Sequence, residues 1–277
     1  MASIYLIGSL RNPAVPKLAA SLRNNVTEVF DNWYAAGKIA DDSWRDYERS
    51  RGHDYQQALD NHSARHTYSF DLFHLNRCHA GILCLPAGRS GHLEAGFVSG
   101  QGKPVFMLLD KSGEPERLDV LSQVLYGVYS TVPKLQVAID NYPWPKLPEI
   151  PFLTVLDAVW LAGILEGEGS FCISGGTPRL VLQMTDYDIV KQAANIIGSR
   201  VWKHPRAIKG HKDIWACGRA GLTAIEWMRI LMPYLGIRRQ EQIRTTAKQW
   251  LNKRIYHQQD RNWWLRMFNL QDIIQRN

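Results

Sequence analysis

Glu94 stands where a carboxylate could do covalent chemistry. It falls early in a helix-prone run, Gly91–Gly100, after the apolar run Ala80–Leu85 and the loop Pro86-Ala87-Gly88-Arg89-Ser90-Gly91. Such a loop lets backbone donors approach a ligand, and a helix N-terminus favours anionic groups. A carboxylate so placed can attack the anomeric carbon of a deoxyribosyl group. The glycosyl-enzyme would then pass its sugar to another base or to water, much as in retaining glycosidases. The plainer reading is an acid that merely stabilises a helix dipole.

The elements that must position this group alternate strand and helix. Ser3–Ser9 and Thr27–Asp31 read as strands, with a helix over Ala14–Asn24 between them. A polar, aromatic-dotted stretch from Trp33 to His66 predicts helices over the site. Ala80–Leu85 and Pro104–Leu109 read as buried strands. A helix near Glu116–Tyr126, a short strand and the helix Pro133–Asn141 follow. Near-continuous apolar strands separated by helices imply an α/β fold, a doubly wound parallel sheet covered on both faces. Ligands bind such sheets at the carboxyl ends of the strands.

A stiff segment then interrupts the pattern. From Pro143 to Pro151, four of nine residues are proline, which neither helix nor central strand tolerates. The expected division is a first domain over 1–141, a linker over 142–151 and a second domain over 152–277. Charge divides in the same place. Residues 1–150 hold 15 Lys and Arg against 16 Asp and Glu, whereas residues 151–277 hold 18 against 10. The basic excess belongs to the second half alone, which suggests a polyanionic partner for that half. The four cysteines fit no zinc or redox spacing, and no apolar run reaches the ~18 residues of a membrane span. A cytoplasmic protein without a membrane role is the expectation.

In the first half, Tyr5-Leu6-Ile7-Gly8-Ser9, Asp31-Asn32-Trp33, Phe70-Asp71-Leu72, the loop through Gly88, Ser90 and Gly91 to Glu94, and Gly102-Lys103-Pro104 occur in order. Together they resemble the nucleoside 2-deoxyribosyltransferase-like family over roughly residues 3–110. The resemblance implies Glu94 as nucleophile, Asp71 as the acid serving the leaving base, and Tyr5 as the group that orients the nucleophile. Gly8, Ser9, Gly88, Ser90 and Gly91 would cradle the sugar, or a 5′-phosphate. Asp31 and Trp33 either touch the base or cap and pack. The substrate would be a deoxynucleoside or deoxynucleotide, with no cofactor. His79 stands where many relatives carry an acid, and Gly88-Arg89 replaces a base-binding acid of some transferases.

In the second half, helix Val155–Glu166 leads to strands Ser170–Ser174 and Arg179–Thr185. Helix Tyr187–Ile197, capped by Asp186, leads to strands Arg200–Lys203 and Asp213–Cys217 and then helix Leu222–Leu235. Within this αββαββα order, Trp160-Leu161-Ala162-Gly163-Ile164-Leu165-Glu166-Gly167-Glu168-Gly169-Ser170-Phe171 resembles the LAGLIDADG homing-endonuclease signature. Ala162, Gly163, Glu166 and Gly167 would let two such helices approach closely, and Gly169 would release the chain into a strand. The resemblance, over roughly 155–245, implies an α+β saddle in the major groove of double-stranded DNA and a homodimer, because one motif supplies half an active centre. Glu168, with Gly167 beside it, would hold Mg²⁺, which can activate water for phosphodiester cleavage. Lys203, Arg206, Lys209, Lys212 and Arg219 are the expected DNA contacts. A non-cleaving DNA-binding module tethered to a hydrolase or ligand-sensing domain is the alternative. The basic, aromatic tail with Trp263, Trp264 and Phe268 either tracks a phosphate backbone or packs onto the domain. The pairing of two such domains suggests a phage or mobile element.

Overall fold

The computed structural model describes residues 2–23, 27–115, 120–151, 153–204, 212–253 and 258–270. The chain divides into two compact units, Met1–Pro143 and Trp144–Asn277. No helix among the described residues is long and apolar enough to cross a membrane.

The first unit holds a five-stranded parallel sheet of order β2-β1-β3-β4-β5. Its strands are β1 (Ala2–Ile7), β2 (Thr27–Phe30), β3 (Ala80–Cys84), β4 (Val105–Leu108) and β5 (Gly127–Tyr129). Every residue of β1, β3 and β4 is buried, as a sheet covered on both faces requires. The covering helices include α1 (Ala14–Leu22), α5 (Arg89–Gly100) and α6 (Val132–Asp140). From β1 the chain moves outward to β2, then returns to place β3, β4 and β5 on the other side. The switch point therefore lies between β1 and β3, where an open parallel sheet forms its ligand crevice.

Between β2 and β3 run a short 3₁₀ turn (Asn32–Ala36) and the helices α2 (Ala40–Ser50), α3 (Tyr55–Asp60) and α4 (His62–Arg77). Buried Glu48 stitches them together, accepting from Asn61 at 2.8 Å and contacting His53 Nδ1 at 2.7 Å. Helix α4 extends well beyond the expected His66 and carries Phe70 and Asp71. Of the helix expected near Glu116–Tyr126, residues 116–119 lie outside the described residues. The rest is a 3₁₀ turn, Val120–Val124, which ends where Tyr126 N–H bonds to Val105 at the start of β5.

The second unit follows the expected αββαββα order: α7 (Val155–Glu168), β6 (Gly169–Ser174), β7 (Thr177–Met184), α8 (Tyr187–Ile197), β8 (Trp202–His204), β9 (Ile214–Ala220) and α9 (Gly221–Leu231). The sheet is antiparallel, of order β6-β7-β9-β8. Thr154 and Asp157 form a reciprocal capping box that starts α7. Gly169 ends it and opens β6. Its φ is −76°, and glycine is required because a Cβ would lie 2.5 Å from the Leu165 carbonyl oxygen. Asp186 precedes α8 but makes no side-chain capping bond. Pro233 cuts α9 short of the expected Leu235, since proline removes a helix donor.

The C-terminal segment forms α10 (Ile237–Lys253) and α11 (Gln258–Met267). Trp250, Trp263, Trp264 and Phe268 are buried and packed ring to ring. Of the two readings of the tail's rings, packing onto the domain is the one observed. Arg254 lies outside the described residues.

Candidate functional sites

The first unit brings three of the sequence-selected groups together beside the switch point. Tyr5, on β1, is buried, and its hydroxyl donates to Asp71 Oδ1 over 3.5 Å. Asp71 projects from α4, which packs on β1, and Glu94 from the second turn of α5, which packs on β1 and β3. Burial and, after it, the nearby Asp71 charge together push Glu94 up to about 8. Burial lifts Asp71 to about 6 against the opposing effect of the Tyr5 bond. The Tyr5 hydroxyl is driven far up by burial and by both carboxylates, so it stays a neutral donor. The two acids titrate as a coupled pair, and near neutral pH they hold one proton between them. In the free site that proton rests mainly on Glu94.

The wall of the site is aromatic. Phe30 lies 5.3 Å from Tyr5 and stacks on His74 at 3.6 Å, while Phe70 meets His74 edge-on. Burial, helped by the charge of Arg77, lowers His74 to about 4, so this imidazole is neutral at physiological pH. Trp33 donates from its indole to the Leu6 carbonyl at 2.8 Å, and its ring lies over Gly8. Asp31 is held in an ion pair with Arg23, so it neither caps the following turn nor stands free. Gly88 precedes α5 without a side-chain cap, Ser90 is exposed, and Gly91 packs against Ile7. Ser9 joins β1 to α1 and accepts from Arg11 N–H.

Sequence reasoning missed Asn12. It is buried, donates to the Cys84 and Pro86 carbonyls at 3.4 and 3.2 Å, and accepts from Ala14 N–H at 2.9 Å. It thereby ties the loop after β1 to the loop that leads to Glu94. An asparagine just before Pro13 at a helix start was the signal.

In the second unit Glu168 closes α7 and is exposed. Leu156, Val159, Gly163 and Gly167 form an exposed stripe up the same helix, and among the described residues a Cβ built on either glycine would meet nothing within 4 Å beyond the helix's own backbone and its chain neighbours. Two residues expected on that stripe are engaged within the chain instead. Ala162 is buried, and Glu166 Oε2 accepts from Gly236 N–H at 2.9 Å. The Gly167 carbonyl accepts from Arg239 at 3.2 Å.

The sheet is two-faced. Phe171, Leu180, Leu182 and Cys217 are buried. The register aligns Ser170, Cys172, Arg179, Val181, Gln183, Trp202 and His204 on the opposite, open face. There Gln183 and His204 meet at 3.2 Å. Two of the expected DNA contacts belong to the other side. Arg219 bonds to the Ile197 and Gly198 carbonyls at the end of α8. Lys203 pairs with Asp213 at 2.7 Å and lies over Trp215. Lys212 is exposed before β9, while Arg206 and Lys209 lie outside the described residues. Alternation along short strands could have separated the faces, but counting charge alone could not.

Among the described residues no three His, Cys, Asp or Glu side chains gather to hold a metal. At the end of α7, Glu168 presents an exposed carboxylate, the oxygen ligand type that Mg²⁺ prefers.

No protein-family model matches the chain, and no curated protein matches it. Among solved structures it is similar to the homing endonuclease I-CvuI in complex with the I-CreI target in 2 mM Mg, where the DNA is not cleaved. Identity is 15% and the TM-score 0.27, with 41% of this chain and 95% of that one covered. It is likewise similar to I-CvuI with its own target in 2 mM Ca, at 16% identity and a TM-score of 0.26, with the same coverage.

Proposed function

We propose that the chain joins an enzyme of N-glycosidic bonds to a site-specific DNA endonuclease. The first assignment rests on Glu94 and Asp71 standing together at the switch point, with the neutral Tyr5 hydroxyl donating to Asp71. In the reaction, the Glu94 carboxylate attacks the anomeric carbon of a deoxynucleoside or deoxynucleotide. The C–N bond breaks, its electron pair leaves with the base, and Asp71 donates the proton that neutralises it. A second base or water then attacks the Glu94 ester, and its proton returns to Asp71. The shared proton must first move from Glu94 to Asp71, so the reactive form is the minority form of the free pair. Tyr5 holds the Asp71 oxygen while this happens.

Incubation with each deoxynucleoside, followed by chromatography for free base, tests the assignment. Mass spectrometry should find a glycosyl adduct on Glu94. Base release by Glu94→Ala equal to that of the wild type refutes it.

The second assignment rests on the unpartnered stripe of α7, which ends at exposed Glu168. Two copies packed along this stripe bring two carboxylates together, and the open face with Arg179 and Gln183 suits the edges of bases. Glu168 from each copy would hold Mg²⁺, which when bound supplies water activation and charge stabilisation. Arg238, exposed and 3.3 Å from the Glu166 carbonyl, supplies a cation at this same helix end, where a phosphate would suit it. Mg²⁺-dependent cutting of a randomised duplex pool, lost in Glu168→Gln, is expected. Binding that survives this change with no cutting in the wild type would make the unit a non-cleaving module.

A further inference from the structure

We propose that Arg239 is a positioning residue that fixes the Glu168 carboxylate for its metal; this rests on the endonuclease reading above. Glu168 stands between Gly167 and Gly169, so the backbone on either side has the least intrinsic restraint of any residue type. It is also the last residue of α7, where carbonyls lack intrahelical partners and helices fray. A carboxylate that must meet a divalent ion within about 0.5 Å needs an external hold.

Arg239 supplies that hold. It is 7% exposed, in contrast to its neighbour Arg238. Its Nε donates to the Glu166 carbonyl at 3.0 Å and its Nη2 to the Gly167 carbonyl at 3.2 Å. Its Nη1 donates to Gln242 Oε1 at 2.9 Å, which locks the fork within α10. Alongside, Gly236 N–H binds the Glu166 carboxylate. Thr246 anchors α10 to β6 through the Phe171 carbonyl at 3.2 Å, so the fork is mounted on a fixed helix. The planar guanidinium covers two consecutive carbonyls at once, which a lysine ammonium cannot do with the same geometry. Its charge also sits at the negative end of the α7 dipole.

The test uses the full chain and Mn²⁺ alone, with binding read from the loss of the free-ion EPR signal. Wild type should bind Mn²⁺, and Glu168→Gln should abolish that binding. Arg239→Met, checked by circular dichroism for a native fold, should weaken it by roughly 10–100-fold. If Arg239→Met does not fold, Arg239→Lys takes its place, with weakening expected because the fork is lost. Millimolar guanidinium should restore Mn²⁺ binding to Arg239→Ala, a response that general loosening of the fold would not give. A folded Arg239 variant that binds Mn²⁺ as the wild type does overturns the positioning role and leaves the endonuclease reading standing. Wild type without Glu168-dependent binding sinks both.

Discussion

Glu94→Gln removes a buried titratable charge and almost nothing else. Burial and Asp71 raise the wild-type side chain from an ordinary 4.5 to about 8. At 1.36 kcal/mol per pKa unit the gap is about 5 kcal/mol. Glu94 keeps one side open to water, and screening there reduces the expected effect to about 2 kcal/mol. Below about pH 4.5 both folded and unfolded chains carry the proton, and the wild type suffers no penalty. Between there and about pH 8, folding must take up a proton, so stability falls as pH rises. Above about pH 8 the fold must bury the charge itself. Glutamine is indifferent throughout. The variant should therefore match the wild type near pH 4 and exceed it by about 2 kcal/mol near pH 9. Urea denaturation of the full chain, with pulse-labelled hydrogen exchange read on β1 and β3 peptides, follows the first unit separately. Equal midpoints for both proteins at both pH values would mean that Glu94 is well solvated, and the shared-proton argument would fall.

Base release should show a bell-shaped pH dependence of kcat/KM with limbs near about 6 and about 8, because the pair must hold one proton. A flat profile across that range counts against the pair. Gly8→Ala should destabilise the first unit by about 1–3 kcal/mol in the same exchange assay, since its Cβ would lie 2.7 Å from Val15. Gly163→Leu should leave the second unit's stability unchanged or up to about 1 kcal/mol higher, the new side chain meeting open space. Sedimentation should nevertheless find only protomers, and an unaltered dimer would refute the stripe as the contact. Arg179→Ala should lower the salt slope of duplex binding by about one, while Lys203→Ala, already paired with Asp213, should change it little.

The strands of the first unit were legible because β1, β3 and β4 are apolar throughout. The full reach of α4 was not. Its first half is exposed and polar, and only Phe70 to Arg77 meet the core, so no apolar period marks the whole helix. In the second unit α7 was legible as a helix, but it runs past the expected end at Glu166 to Glu168. What could not be read was which residues the tip already uses. Glu166, Arg238 and Arg239 are about seventy positions apart and meet only through the fold. The charge of Lys203 and Arg219 was visible, but its spending on Asp213 and on α8 carbonyls was not.

The last helix cannot be trimmed as though it were an appendage. Trp263, Trp264 and Phe268 close over Trp250, so a chain cut before α11 would leave an indole surface open to water. Such a surface invites clumping between copies. Expression designs that remove α11 should yield precipitate.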